Sequence, residues 1–317
     1  MKIVVTDGYA VNPGDLSWDE IALCGDLEVY EHTKPEDTFE RVGDADIIIA
    51  NKTILNAELI ESCPKLKLIC VSATGYNNVD IEAANKRNIP VCNAANYSSK
   101  SVAQHVLAMV LHVYNRVSYY ANSVREGRWS RSRDFTYFDH SIEELSEKTI
   151  GIIGFGAIGQ EVANTFSAFG STILIQNHPT KKLSIPSKYK LVSKEEMINS
   201  SDIISLHIPL KEGTEGLVDS DFLKNMKKSA ILVNTARGPV VDENALIKAL
   251  QTNQILAACI DVMSQEPPED SPLFRLENCI VTPHQAWTSI QARKQLLKIT
   301  KSNIEGFKKN NIQNQVN

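Results

Sequence analysis

Short, nearly unbroken apolar runs recur along the chain. Between many of them lie longer stretches in which apolar residues return every three or four positions. The runs fall at 2–6, 45–50, 66–72, 89–92, 149–153, 171–176, 202–206, 229–233, 256–260 and 278–281. Runs of this length without alternation are the pattern of strands buried on both faces of a parallel sheet. Helical spacing appears at 98–120, 157–169, 215–226 and 242–252. Strand alternating with helix predicts an α/β fold with mainly parallel sheets.

The chain also echoes itself. Asp44-Ala45-Asp46-Ile47-Ile48-Ile49 resembles Ser201-Asp202-Ile203-Ile204-Ser205-Leu206. The run Lys67–Gly75 resembles Ala230–Gly238, each a buried strand leading into a loop of small residues. Open α/β sheets bind ligands at the carboxyl ends of their strands. Two such units predict a ligand cleft. One long helix is expected over 98–120, with Ser101-x-x-Gln104 as its capping box. The stretch 125–140 has no clear period and holds Arg125, Arg128, Trp129, Arg131, Arg133, Phe135, Tyr137 and Phe138. It fits a subunit-contact arm better than an RNA-binding patch, because the chain as a whole is acidic.

Composition narrows the class. The 317 residues are enough for about two domains. Apolar residues make up 43% and charged residues 22%, which excludes disorder. Lys+Arg 33 against Asp+Glu 38 gives a net charge of −5, with no general footprint for nucleic acid. No apolar run approaches the roughly 18 residues a membrane span needs. Met1–Gly8 meets Asp7 after three apolar residues and reads as a first strand rather than a signal peptide. The six cysteines form no Cys-x-x-Cys pair and no metal-ligand spacing. They read as buried thiols in a reducing cytoplasm, with no metal site.

The most specific local motif is Gly154-Phe155-Gly156-Ala157-Ile158-Gly159. It follows an apolar strand and opens a helix, the context a dinucleotide fingerprint requires. Gly154 permits the tight turn, Gly156 lets the backbone approach a pyrophosphate, and Gly159 lets helix and strand pack closely. The helix N-terminus offers N–H groups to phosphate. About 20 residues on, an acid is expected to hold the adenosine ribose. Asn177 stands there instead, with Lys181 and Lys182 close behind. The expected cofactor is NAD, with NADP left open.

Three later residues follow apolar strands: Arg237, Glu266 and His284. Together they supply the parts for carbonyl reduction. A cation binds a substrate carboxylate and polarises the carbonyl, and a general acid protonates the new alkoxide. A carboxylate beside that acid orients it.

At these residues the sequence resembles the D-isomer-specific 2-hydroxyacid dehydrogenase family over nearly its whole length. The matching stretches are Ala73–Asp80, Tyr97–Gln104, the glycine motif, Ser205–Leu210 with Thr214, Asn234–Gly238, Asp261 with Glu266-Pro267, and Thr282-Pro283-His284. Within the family, Asp7-Gly8-Tyr9, Asn12–Asp15, Arg125–Ser130 and Trp287 look like glycerate dehydrogenases (hydroxypyruvate reductases). The resemblance implies that Arg237 binds the substrate and that His284, paired with Glu266, is the acid in reduction and the base in oxidation. It implies that Thr74 and Gly75 present backbone N–H groups to the substrate carboxylate. Ala157 and Ile158 would lie against the pyrophosphate, His207, Thr214, Thr235 and Ala236 would line the cofactor, and Asp261 would hold the nicotinamide carboxamide.

The implied architecture is two Rossmann-like domains. The smaller, flavodoxin-like substrate domain is discontinuous, 1–99 plus 285–317, and the dinucleotide domain is 100–284. A cytoplasmic homodimer is expected, with its arm near 115–145. The expected reaction is hydride transfer between NAD(P)H and a small 2-oxo acid, hydroxypyruvate to D-glycerate, with glyoxylate as a second substrate. Two other readings stay open. One is a D-lactate or 3-phosphoglycerate type of dehydrogenase, with Arg131 and Arg133 available for a phosphate. The other is a non-catalytic, NADH-sensing, co-repressor-like binding protein.

Overall fold

The computed structural model describes residues 1–177 and 183–317. The chain divides into two compact units, Met1–Ser98 with Thr288–Asn317, and Ser99–Trp287. Residues 285–287 group with the second unit. A physical reason is visible there: the Asp261 carboxylate accepts hydrogen bonds from the backbone N–H groups of Gln285 and Ala286, both at 2.9 Å.

The first unit is built on β1 (Lys2–Val5), β2 (Asp26–Val29), β3 (Ile47–Ala50), β4 (Leu68–Val71) and β5 (Val91–Cys92). All pair in parallel in the order β2-β1-β3-β4-β5, the flavodoxin-like order. β3 and β4 are buried throughout. The helix Ile290–Lys308 packs on β4, and its Ile304 joins the core of Ile3, Ile47, Leu68 and Cys70. The chain end then pairs antiparallel with the exposed edge of β5, through Gln315 opposite Cys92.

The second unit holds β6 (Thr149–Ile153), β7 (Thr172–Gln176), β8 (Lys190–Val192), β9 (Ile203–Leu206), β10 (Ile231–Asn234), β11 (Ala257–Ile260) and β12 (Cys279–Val281). The parallel order is β12-β11-β10-β9-β6-β7-β8. Counted from β6, this is the doubly wound dinucleotide order, extended by one strand. Successive residues point to opposite faces. Ile203, Ile231 and Val233 meet the helices Ser99–Asn115 and Ala157–Ala168. Ile204, Leu232 and Ile260 meet Phe222, Leu246 and Leu250 on the other side.

All ten expected strands form. β2 and β8 were not anticipated. Both are edge strands, short and only partly buried, so they lack the apolar run that marks the interior ones. The single helix expected over 98–120 is two, Ser99–Asn115 and Val117–Arg125, broken at Arg116, whose φ is +51°. Ser101 is not a cap: it lies inside the helix, and its hydroxyl donates to the Ala286 carbonyl at 2.7 Å. The helix expected over 215–226 shortens to Ser220–Asn225, because Val218 bridges to Val241 and Asp219 caps the helix.

The internal echo has a structural counterpart. β3 and β9 each stand beside the first strand of their sheet, and β4 and β10 come next. Asp46 accepts from the backbone of Lys2 at 2.8 Å and from Lys67 Nζ at 2.6 Å. Asp202 accepts from the backbone of Thr149 at 2.9 Å and from Lys227 Nζ at 2.8 Å. One carboxylate thus staples three neighbouring strands at the same place in both sheets.

Candidate active site

In the second unit the ladder register aligns Ile153, Leu206, Asn234, Ile260 and Val281. The residues that follow each of them, Gly154, His207, Thr235, Asp261 and Thr282, therefore emerge at one edge of one sheet. Adjacent strands are about 4.8 Å apart, so this edge from β6 to β12 spans about 19 Å.

Gly154 has φ +95°, and a Cβ there would lie 2.3 Å from the His207 carbonyl oxygen. A Cβ on Gly159 would lie 2.0 Å from the Gly154 carbonyl, so only glycine lets this helix seat on its turn. Gly156 differs. It is the N-cap of the helix Ala157–Ala168 and has nothing within 4 Å of a Cβ position. Open space beside a free helix N-terminus suits a pyrophosphate. On the β10 loop at the same sheet edge, the Thr235 hydroxyl is buried with no partner among the described residues. An orphaned buried hydroxyl on this edge suits a ligand's polar atoms. On both counts the residues present fit a dinucleotide. Asn177 is exposed just after β7, its N–H donating to Val192 at 2.9 Å. Lys181 and Lys182 lie outside the described residues.

His207 is half-buried, yet its ring is desolvated enough that its pKa is pushed down to about 3. The ring is therefore neutral near pH 7, with Nε2 2.9 Å from Ser205 Oγ. Thr214 closes its own loop: its hydroxyl lies 2.8 Å from the Pro209 carbonyl and accepts from the Lys211 N–H at 2.8 Å.

The β10 loop is clasped by Asn234, a role not anticipated from the sequence. Its Oδ1 accepts from the Ala236 N–H at 3.0 Å, and its Nδ2 donates to the Arg237 carbonyl at 2.9 Å. Arg237 Nη1 donates to the Ala236 carbonyl at 2.6 Å, and no carboxylate pairs with it among the described residues. A Cβ on Gly238 would lie 2.0 Å from the Met263 carbonyl, so this loop rests directly on the next one.

Glu266 and His284 meet: Oε2 is 2.7 Å from Nδ1, while Oε1 accepts from the Met263 N–H at 3.0 Å. A carboxylate can only accept, so the ring proton sits on Nδ1 and chemistry at this ring falls to Nε2. Asp261, 1% exposed, turns out to organise the His284 loop through Thr282, Gln285 and Ala286.

Thr74 and Gly75 belong to the first unit and lie in the loop after β4. Two further asparagines, missed from the sequence, hold that loop. Asn51 Nδ2 donates to the Ser72 carbonyl at 2.5 Å, and Asn93 Nδ2 to the Thr74 carbonyl at 2.8 Å. Both sit just after strands, a position where a buried asparagine can replace missing backbone partners. Among the described residues no group of three or more His, Cys, Asp or Glu is placed to hold a metal.

A doubly wound sheet with this glycine turn and a carboxylate-backed histidine on the same edge defines a nicotinamide-dependent dehydrogenase. Comparison with known proteins narrows the class. Residues 107–286 match the family described as D-isomer specific 2-hydroxyacid dehydrogenase, NAD binding domain. The hydroxypyruvate reductase of Blautia hydrogenotrophica is 39% identical over 100% of both chains. The glycerate dehydrogenase of Methylorubrum extorquens is 40% identical over 99% of this chain and 98% of that one. An acyclic imino acid reductase solved with NADPH and D-Arg superposes with a TM-score of 0.87, at 32% identity over 100% of both chains. This chain belongs to the D-isomer-specific 2-hydroxyacid dehydrogenase family.

Proposed function

We propose that this dehydrogenase reduces hydroxypyruvate to D-glycerate, with glyoxylate as a second substrate and NAD(H) as the preferred cofactor. The names of its full-length relatives support that substrate class. The observation that carries the chemistry is the 2.7 Å Glu266–His284 pair, on the sheet edge that also bears the glycine turn.

The Gly154–Gly159 turn, with Ala157 and Ile158, holds the pyrophosphate, and Asn177 holds the adenosine ribose. His207, Thr214, Thr235, Ala236 and Asp261 line the remainder. When bound, NAD(P)H supplies the hydride for the carbonyl carbon. Arg237 binds the substrate carboxylate and draws charge toward the carbonyl oxygen. His284 delivers a proton from Nε2 to that oxygen, and Glu266 keeps the ring oriented while it carries charge. In the reverse direction Nε2 takes the hydroxyl proton. Thr74 and Gly75 offer backbone N–H groups suited to a carboxylate.

The protein works as a cytoplasmic homodimer. Support comes from the exposed apolar surface at Val117, Trp129, Phe135 and Phe138, the last two almost 90% exposed at 89% and 87%. Arg128 in this arm is already paired with Asp139 and stacked 4.6 Å from the Tyr137 ring, which favours protein contact over RNA. All six cysteines are free thiols. No helix among the described residues is long and apolar enough to cross a membrane.

The test is oxidation of NADH and NADPH with hydroxypyruvate, glyoxylate, pyruvate and 3-phosphohydroxypyruvate, with chiral analysis of the product. The expected result is highest kcat/KM with hydroxypyruvate and a D-product. No turnover with any of the four overturns the proposal and favours a nucleotide-sensing role.

A further inference from the structure

His284 sits at φ +50°, the left-handed region that a side-chain-bearing residue adopts only when its surroundings impose it. The surroundings here are specific. The His284 N–H donates to the Asp261 carbonyl at 2.8 Å. The next two N–H groups, of Gln285 and Ala286, donate to the Asp261 carboxylate, each at 2.9 Å. Asp261 is thus the post around which the loop is wound.

Behind the post stands a second polar layer. Thr282 Oγ1 is 2.6 Å from Asp261 Oδ1 and 3.0 Å from His105 Nε2. The carboxylate cannot donate, so the threonine proton points at Asp261 and its lone pair takes the proton on His105 Nε2. His105 Nε2 itself lies 3.5 Å from Asp261 Oδ1. One turn earlier on the same helix, Ser101 donates to the Ala286 carbonyl at 2.7 Å. Two side chains on one face of the helix Ser99–Asn115 therefore grip both ends of the loop. That helix is a firm base, since its Val102, Val106, Met109 and Val110 lie in the core.

We propose that His105 and Thr282 are positioning residues for the reaction: the chain His105 Nε2–H to Thr282 Oγ–H to Asp261 fixes the backbone of His284 and so the aim of its ring. This rests on His284 being the acid and base. The layer is built from hydrogen bonds, which have direction, where apolar packing of the loop would leave its last degree of rotation unset.

The experiment compares Thr282→Val, which keeps the shape and removes the hydroxyl, with Thr282→Ser, which keeps the hydroxyl. His105→Leu and His284→Ala accompany them. Single-turnover NADH oxidation with hydroxypyruvate should fall about 10- to 100-fold in Thr282→Val and His105→Leu, the cost of a small misplacement. Thr282→Ser should recover to within about threefold of wild type, and the NADH Kd should move by less than about threefold throughout. In protein without nucleotide, amide exchange at Gln285 and Ala286 should accelerate in Thr282→Val. Should Thr282→Val fail to fold, His105→Leu decides, since it leaves Asp261 its three direct donors. Wild-type rates in the Thr282→Val or His105→Leu variant, with His284→Ala impaired, overturn the positioning role alone. Loss of NADH affinity in step with rate overturns it as well, because the His105–Thr282 layer would then be serving the nucleotide contact of Asp261 rather than the aim of His284. A wild-type rate in His284→Ala overturns the reading of His284 itself.

Discussion

Replacing Glu266 by Gln tests the acid–base pair with little change of shape. Glu266 accepts hydrogen bonds from Met263 N–H at 3.0 Å and from His284 Nδ1 at 2.7 Å. A glutamine has one acceptor oxygen and one NH2 group. If its oxygen stays on Met263, its NH2 faces the Nδ1–H and two donors collide, which drives the ring to its other tautomer. If the oxygen turns to His284, the Met263 N–H loses its acceptor. Charge is lost in both cases. At 2.7 Å a full ion pair is worth about 1.5 kcal/mol in water and about 6 kcal/mol at an effective dielectric constant of 20. The two side chains are 27% and 31% exposed, so the loss falls toward the lower figure, at about 2 kcal/mol. That is a fall of about 30-fold in the rate of the step that uses charged His284. Stopped-flow NADH oxidation with saturating hydroxypyruvate reads it directly. The NADH Kd and the melting temperature should stay near wild type. A Glu266→Gln enzyme within twofold of the wild-type rate would refute the pairing as part of the chemistry.

Three other outcomes follow from single contacts. Gly159→Ala puts a methyl group 2.0 Å from the Gly154 carbonyl, so it should cost about 1–3 kcal/mol of stability and weaken NADH binding; unchanged denaturant midpoint and Kd would contradict the packing argument. Asn177→Asp introduces the negative charge missing at the ribose position and should raise the NADH-over-NADPH ratio of kcat/KM about tenfold, whereas a constant ratio would place the preference elsewhere. Burial holds His207 near 3 in the folded protein against 6.5 for the free side chain. The unfolded chain thus takes the proton first. This contribution to stability is full above about pH 6.5 and is lost toward pH 3, by up to about 1.4 kcal/mol per pH unit. His207→Gln should flatten the urea midpoint between pH 6.5 and 4.5; an unchanged slope would show that other groups carry it.

Much of this was visible before any coordinates because buried parallel strands write themselves as apolar runs. Ile47–Ala50 and Ile231–Asn234 have no water on either face, so almost every position must be apolar. Asp26–Val29 and Lys190–Val192 pair on one side only, tolerate charge, and leave no comparable trace. The break at Arg116 is equally silent, since no glycine or proline marks it. At the site, the glycines were legible because each answers a steric demand, at 2.3 Å for Gly154 and 2.0 Å for Gly159. Glu266 and His284 could be named from the residues, but their pairing was implied only by the family resemblance, because they are 18 residues apart on different strand loops. The clasps made by Asn51, Asn93 and Asn234 were hidden for a different reason. An asparagine after a strand is common, and only the folded chain shows which carbonyl it holds. Asp261 shows the same limit, since its three direct N–H and O–H donors come from residues 21 to 25 positions away.

The central claim is that His284 moves the proton. The most direct measurement is single-turnover oxidation of bound NADH by hydroxypyruvate in the His284→Ala enzyme, with NADH affinity measured on the same sample. Removing the general acid should slow this step by about 10²- to 10⁴-fold while the nucleotide still binds as in wild type. A His284→Ala enzyme that turns over at the wild-type rate would contradict the account.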